Sequence, residues 1–154
     1  MWREFLRTPN SAPLALVRLG LGLVMFPHGA QKMLGWWGGN GFGPTMGFFE
    51  HQGIPAVFAF LAIAAEFFGG LGLILGFLTR IAAFGVMVNM LVAIFMVHAR
   101  NGFFMNWTGK QGGEGFEYHL LAVAIALAVV IGGGGAFSID HAIASAPARG
   151  LRLA

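Results

Sequence analysis

Residues 55–98 read PAVFAFLAIAAEFFGGLGLILGFLTRIAAFGVMVNMLVAIFMVH, and apart from the terminal histidine the only ionisable side chains are Glu66 and Arg80. A helix needs about 20 apolar residues to cross roughly 30 Å of hydrocarbon. The stretch is long enough for two such helices, broken by the turn around Leu78. Period-two alternation is absent, and unclosed strands could not satisfy their backbone groups in lipid. The segment therefore predicts a transmembrane hairpin with spans at about 55–77 and 79–98.

Working outward, residues 13–33 and 116–133 form two further apolar blocks of similar length. The first outruns the 7–15-residue apolar core of a signal peptide and carries Arg18 inside it, so it too reads as a span. Across the 154 residues, 57% are hydrophobic and 10% charged, with mean hydropathy +0.76. A soluble domain has about 25% charged residues, so a soluble monomer is excluded. The fold expected is all-α: a single-domain integral membrane four-helix bundle.

The net charge of +3 does not indicate nucleic acid, because the nine Lys and Arg form no cluster. They flank the apolar blocks instead. With the N-terminus inside, Arg3, Arg7, Arg80, Arg149 and Arg152 lie on the inner side and Lys32, Arg100 and Lys110 on the outer. The excess of basic residues inside predicts that both termini are cytoplasmic, in the bacterial cytoplasmic (inner) membrane. Trp2, Trp36, Trp37 and Trp107 lie beside span ends, as interfacial anchors do. Residues 34–54 and 99–115 become the outer loops; the first, rich in glycine and aromatics, suits a lid at the membrane interface.

Ionisable groups inside spans cost at least about 2.5–3.5 kcal/mol on insertion scales and normally face partners in the bundle. Arg18, His28 and Lys32 share a wedge of about 80° on the first helix. Small residues accompany the other polar groups: Ala59, Ala62, Gly69 and Gly70 around Glu66, and Ala82, Gly85 and Ala93 around Asn89. Glu117 shares its face with Leu121, Ala124 and Ala128. Such small residues mark close helix contacts, so all four helices are expected to turn their polar groups inward. From the inner ends, Arg18 lies about 7 Å deep, Asn89 about 13 Å, Glu66 about 19 Å and His28 about 22 Å. Depth thus favours a Glu66–His28 pair, extended outward by Lys32.

The absence of cysteine removes disulfides, thiolate metal sites and covalent haem. His28, His98, His119 and Glu117 fall toward the outer side, but no two of these histidines have a tight i, i+4 ligand spacing, so no metal is expected. No phosphate-binding motif opens a soluble helix. The remaining chemistry is a polar cluster in an apolar bundle, suited to a hydrophobic ring with two oxygens. His28 and Glu66 are the candidate catalytic groups. Arg18, Gln31, Lys32, Asn89, Glu117 and His119 are the candidate binding groups.

Taken together, Arg18 with Gly22, HGAQK at His28 to Lys32 with Gly35, AEFFGGLGLILGFLTR at Ala65 to Arg80, and a glycine run closing with FSID at Phe137 to Asp140 resemble the DoxX family. The resemblance covers about Ala15 to Asp140. It implies a four-helix membrane protein associated with redox work, including a subunit of thiosulfate:quinone oxidoreductase and relatives linked to catechol, quinone or oxidative-stress metabolism. The leading expectation is a membrane subunit of a redox system that binds a quinone or similar lipophilic redox molecule, an enzyme only with a soluble or membrane redox partner. The alternatives are an accessory or assembly scaffold, and a small-solute or proton pathway along Arg18, Asn89, Glu66 and His28. Homo-oligomerisation is left open.

Overall fold

In a computed structural model describing residues 2–146, the first long helix starts where capping chemistry allows it. The Ser11 hydroxyl accepts from the Leu14 amide, Pro13 occupies the first turn, and Gly35 closes the helix in the left-handed conformation at φ 75°. The order is α1 (Trp2–Phe5), α2 (Ala12–Leu34), a 3₁₀ turn at Trp36–Gly38, α3 (Phe42–His51), α4 (Ala56–Leu75), α5 (Thr79–Ala93), α6 (Glu117–Gly132) and α7 (Ile139–Ser145). α5 runs on through a π-helical turn, Ile94–His98, and a 3₁₀ turn, Ala99–Asn101. No strand occurs among the described residues. Pro27 lies within α2 without ending it.

α2, α4 and the continuous α5 segment Thr79–Asn101 are long and apolar enough to cross a membrane. α6, at 16 residues, is about 24 Å long and falls short of that length. The expected spans at 13–33, 55–77 and 79–98 correspond closely to these three helices. Arg149 and Arg152, counted above among the inner charges, lie outside the described residues.

The long helices are neighbours in the order α2, α4, α5, α6, with α6 closing back on α2. Their shared core is Leu21, Met25, Leu73, Ala83, Val86, Met90, Ala122, Ala126 and Val129. The outward surface is apolar as well: Leu16 is 73% exposed, Phe95 79% and Ile131 71%. A surface of this kind is suited to lipid rather than water. α2 and α4 approach closely because each places a glycine, Gly29 and Gly70, against the backbone of the other. A Cβ on Gly29 would overlap the Glu66–Phe67 backbone, and one on Gly70 would overlap the backbone of Phe26.

The turn Gly76–Leu78 lies at the same end as α1 and α7, where a dense polar knot ties the bundle. Arg18, fully buried, donates from Nε to the Gly134 carbonyl, from Nη1 to those of Leu73 and Ile74, and from Nη2 to those of Ala136 and Phe137, at 2.5–3.4 Å. The Asp140 carboxylate accepts from the Leu78 amide and from the amide and hydroxyl of Thr79, at 2.6–2.9 Å. It thereby caps α5 from a distant part of the chain, which matters because Leu78, the residue preceding that helix, has no capping side chain and adopts φ 50°. Arg80 donates to the Val130 and Ile131 carbonyls at the end of α6. Each charge complements a helix terminus, cation at carbonyl ends and anion at an amide end.

Candidate functional site

At the opposite end of the bundle, called here the loop end, the buried Glu66 carboxylate joins three helices. Lys32 of α2 donates to its Oε2, and Asn89 Nδ2 of α5 donates to its Oε1 at 3.0 Å. The Lys32 side chain is 31% exposed and that of Glu66 7%. The only other ion pair among the described residues, Glu4 with Arg7, lies on the surface.

This corrects the expected Glu66–His28 pair. Side chains lean toward the N-terminus of their own helix, and α2 and α4 are antiparallel. The Glu66 α-carbon lies at the level of Gly29, about one turn short of Lys32; the Glu66 side chain leans toward the loop end while that of Lys32 leans back, so they meet between those levels. His28 lies on the rim of the wedge and is exposed.

Lys32 also lines an open cavity of about 360 Å³ with Gln31, Gly39, Asn40, Thr45, Phe48 and Phe49. Its roof is the segment from Trp36 to His51. Gly41 N–H donates to the Gln31 carbonyl, the Gln31 side chain donates to the Trp37 carbonyl, and the Thr45 hydroxyl donates to the Gly41 carbonyl. The sequence here predicts an interfacial lid; the chain folds it into the 3₁₀ turn and α3, with Trp36, Trp37 and Phe48 exposed.

The remaining candidates do not join this cluster in the expected way. Arg18 is committed to main-chain carbonyls at the far end. Between it and Glu66 stand Met25 and Leu73, both buried, so the proposed polar ladder is interrupted by apolar side chains. Glu117 turns away from the bundle to accept from the Met105 amide and the Trp107 indole. Its neighbours Leu121, Ala124 and Ala128 are exposed, so α6 buries a different face from the expected one: Tyr118 and His119 with Ala122, Ala126 and Val129.

On that face, His119 is 7% exposed and its ring lies 4.0 Å, centroid to centroid, from that of His98. His98 Nδ1 is hydrogen-bonded to the Glu114 carbonyl. Tyr118, absent from the sequence candidates, packs against the core with its hydroxyl buried. As the chain's one tyrosine, beginning an apolar helix, it carried a signal in composition but none in spacing. No group of three or more metal-ligating side chains occurs among the described residues.

An apolar exterior, membrane-length helices and a buried ion pair at one end of the bundle define a small helical membrane protein with a polar centre. Within that class, the chain belongs to the DoxX family: the DoxX model matches residues 14–99, which hold Arg18, Lys32, Glu66 and Asn89. A Bacillus subtilis (strain 168) protein named "Putative oxidoreductase CatD" is 31% identical over 74% of this chain and 75% of its own length. The Mycobacterium tuberculosis "Uncharacterized membrane protein Rv3486" is 32% identical over 91% of this chain and 86% of its own. The Escherichia coli (strain K12) "Inner membrane protein YqjF" is 32% identical over 70% and 78%. No solved structure gives a significant match.

Proposed function

We propose that the protein is a membrane subunit of a redox system, and that it binds a quinone or similar lipophilic redox molecule at the loop end of the bundle. In this reading the chain crosses the bacterial inner membrane four times with both termini in the cytoplasm. The observation that carries the binding proposal is that Lys32, whose ammonium donates to the Glu66 carboxylate that Asn89 also donates to, lines the cavity beneath the Trp36–His51 segment.

A quinone would supply the two-electron chemistry. The chain's part is binding and proton handling. The Lys32 ammonium donates to a ring oxygen, and Glu66 holds the ammonium in place and exchanges a proton with it. Phe48 and Phe49 cover the ring and keep water away. Electrons enter or leave through a redox partner protein docked at the membrane. The oxidoreductase in the name of the Bacillus subtilis relative agrees with this assignment.

Binding of decylubiquinone to the purified protein, followed by calorimetry and by quenching of tryptophan fluorescence, tests the proposal. Lys32→Met and Glu66→Gln variants that remain folded should bind at least tenfold more weakly, equivalent to about 1.4 kcal/mol. Absence of binding by the folded parent, or equal binding by both variants, refutes it.

A further inference from the structure

At the end of the bundle opposite the candidate site, an open cavity of about 500 Å³ is lined by Glu4, Arg7, Thr8, Pro9 and Arg80. Its framework is fixed by the polar knot. The Thr8 hydroxyl donates to the Gly132 carbonyl and accepts from the Gly135 amide. Arg80 reaches from the start of α5 to the last carbonyls of α6, those of Val130 and Ile131, and to the carbonyl of Arg7. Gly133 makes room for both: a Cβ there would lie 2.8 Å from Thr8 Oγ1 and 3.2 Å from Arg80 Nη2.

The arginines of this cavity carry more donors than the chain meets. The three bonds of Arg80 use three of its five N–H groups, so Nε–H and one Nη2 hydrogen have no partner among the described residues. No carboxylate pairs with it either, since the ion pairs among those residues are Glu4–Arg7 and Lys32–Glu66. Arg7 spends one N–H on Glu4, and the side chains of that pair are 77% and 73% exposed. Ion pairs so exposed hold weakly. Unused donors of two arginines thus line one cavity, and guanidinium groups take phosphate oxygens in pairs.

The apolar surface beside the cavity indicates which kind of phosphate. Arg80 is the second residue of α5, so it stands at the end of a membrane-length helix, at headgroup level. Phe84 and Val88 continue its own face of α5 toward the middle of the bilayer, and Leu127 and Ile131 lie on the neighbouring α6; all four are exposed. Trp2 and Phe5, on either side of Glu4 in the chain, are exposed as well, with their rings stacked at 6.0 Å, as anchors at the membrane interface are. A soluble anion would use the arginines and nothing below them. A phospholipid would use both, and basic pockets at the ends of membrane helices are where anionic headgroups bind.

We propose that this cavity binds the headgroup of an anionic phospholipid, with Arg7 and Arg80 donating to its phosphate oxygens and an acyl chain lying along Phe84, Val88, Leu127 and Ile131. Glu4 is the competitor, and the phosphate takes its place on Arg7. The bound lipid then bridges the N-terminal segment, α5 and α6. The proposal needs the membrane-length helices and does not depend on the quinone reading.

The test titrates the purified full chain in detergent with dioctanoyl-phosphatidylglycerol and counts lipid-bound protein by native mass spectrometry. Phosphatidylglycerol should bind about tenfold more tightly than phosphatidylcholine of the same chain length. Arg80→Gln and Arg7→Gln should each weaken binding about fivefold, the contribution of one basic residue at an anionic surface. Glu4→Gln, which removes the competing carboxylate, should strengthen it about twofold. Arg7→Gln and Glu4→Gln replace exposed side chains bonded only to each other, so they decide the matter even if Arg80→Gln does not fold. Equal binding of the two lipids overturns the proposal, as do folded Arg7→Gln and Glu4→Gln proteins that bind phosphatidylglycerol as the parent does. Displacement of the lipid by inorganic phosphate at equal concentration would show that the apolar wall contributes nothing, and would overturn the assignment to a lipid.

Discussion

A guanidinium has five N–H donors in a fixed fork and no acceptor, and Arg18 meets five main-chain carbonyls with them. Full satisfaction offsets the desolvation of a charge that would otherwise be costly to bury. A lysine has only three donors and no fork. Arg18→Lys should therefore lower stability by at least about 3 kcal/mol, from two lost bonds of about 1.5–3 kcal/mol each. The check is the thermal unfolding midpoint in detergent; a midpoint equal to the parent's would show that the carbonyls do not depend on the fork. Decylubiquinone affinity of the folded fraction should be unchanged, since Arg18 lies at the end opposite the candidate site. By contrast, Lys32 has a neutralising partner and partial access to the cavity, the condition of a charge that can meet a ligand as well as hold a fold.

Among the elements, α2 and α4 form the closest pair, and their glycines differ in what they permit. Gly29 faces backbone, so Gly29→Ala forces the helices apart at the level of Glu66, whereas Gly20 has nothing within 4 Å of its Cβ position. Gly29→Ala should destabilise by about 1–3 kcal/mol or more through overpacking. Gly20→Ala should be neutral or stabilising by up to about 1 kcal/mol through helix propensity. Midpoints measured side by side decide it, and equal effects would contradict the packing described. The same helices show what the sequence makes legible. The small residues around Glu66 on α4 mark its buried face correctly, because a carboxylate and two glycines contrast sharply with Phe58, Leu61 and Phe68. α6 offers no such contrast: Leu121, Ala124 and Ala128 on one side are as apolar as Ala122, Ala126 and Val129 on the other. Lipid and core are both apolar, so composition cannot say which side packs. Pairing was hidden for another reason. Depth counted along α-carbons ignores the lean of side chains, and that lean joins Glu66 to Lys32 rather than to His28.

At the scale of the whole molecule, the basic residues and the antiparallel path set a testable topology. The chain has no cysteine, so single cysteines introduced at Arg3, Asn40 and Lys110 report without background. In intact cells, the cysteines at 40 and 110 should react with an impermeant maleimide and that at 3 only after lysis; the reverse pattern would invert the orientation proposed. The polar knot adds a constraint of a different kind. Arg18 and Asp140 satisfy helix ends that are made early in synthesis with groups that emerge late: Gly134, Ala136 and Phe137 accept from a residue more than a hundred positions before them, and Asp140 caps a helix begun some sixty residues earlier. Until the last segment leaves the ribosome, the guanidinium lacks three of its acceptors and α5 lacks its cap. Biogenesis thus has a built-in order, insertion of the hairpins first and locking last, and a chain released before residue 140 would carry a buried, partly unsolvated arginine, the kind of defect that membrane quality-control proteases are placed to find.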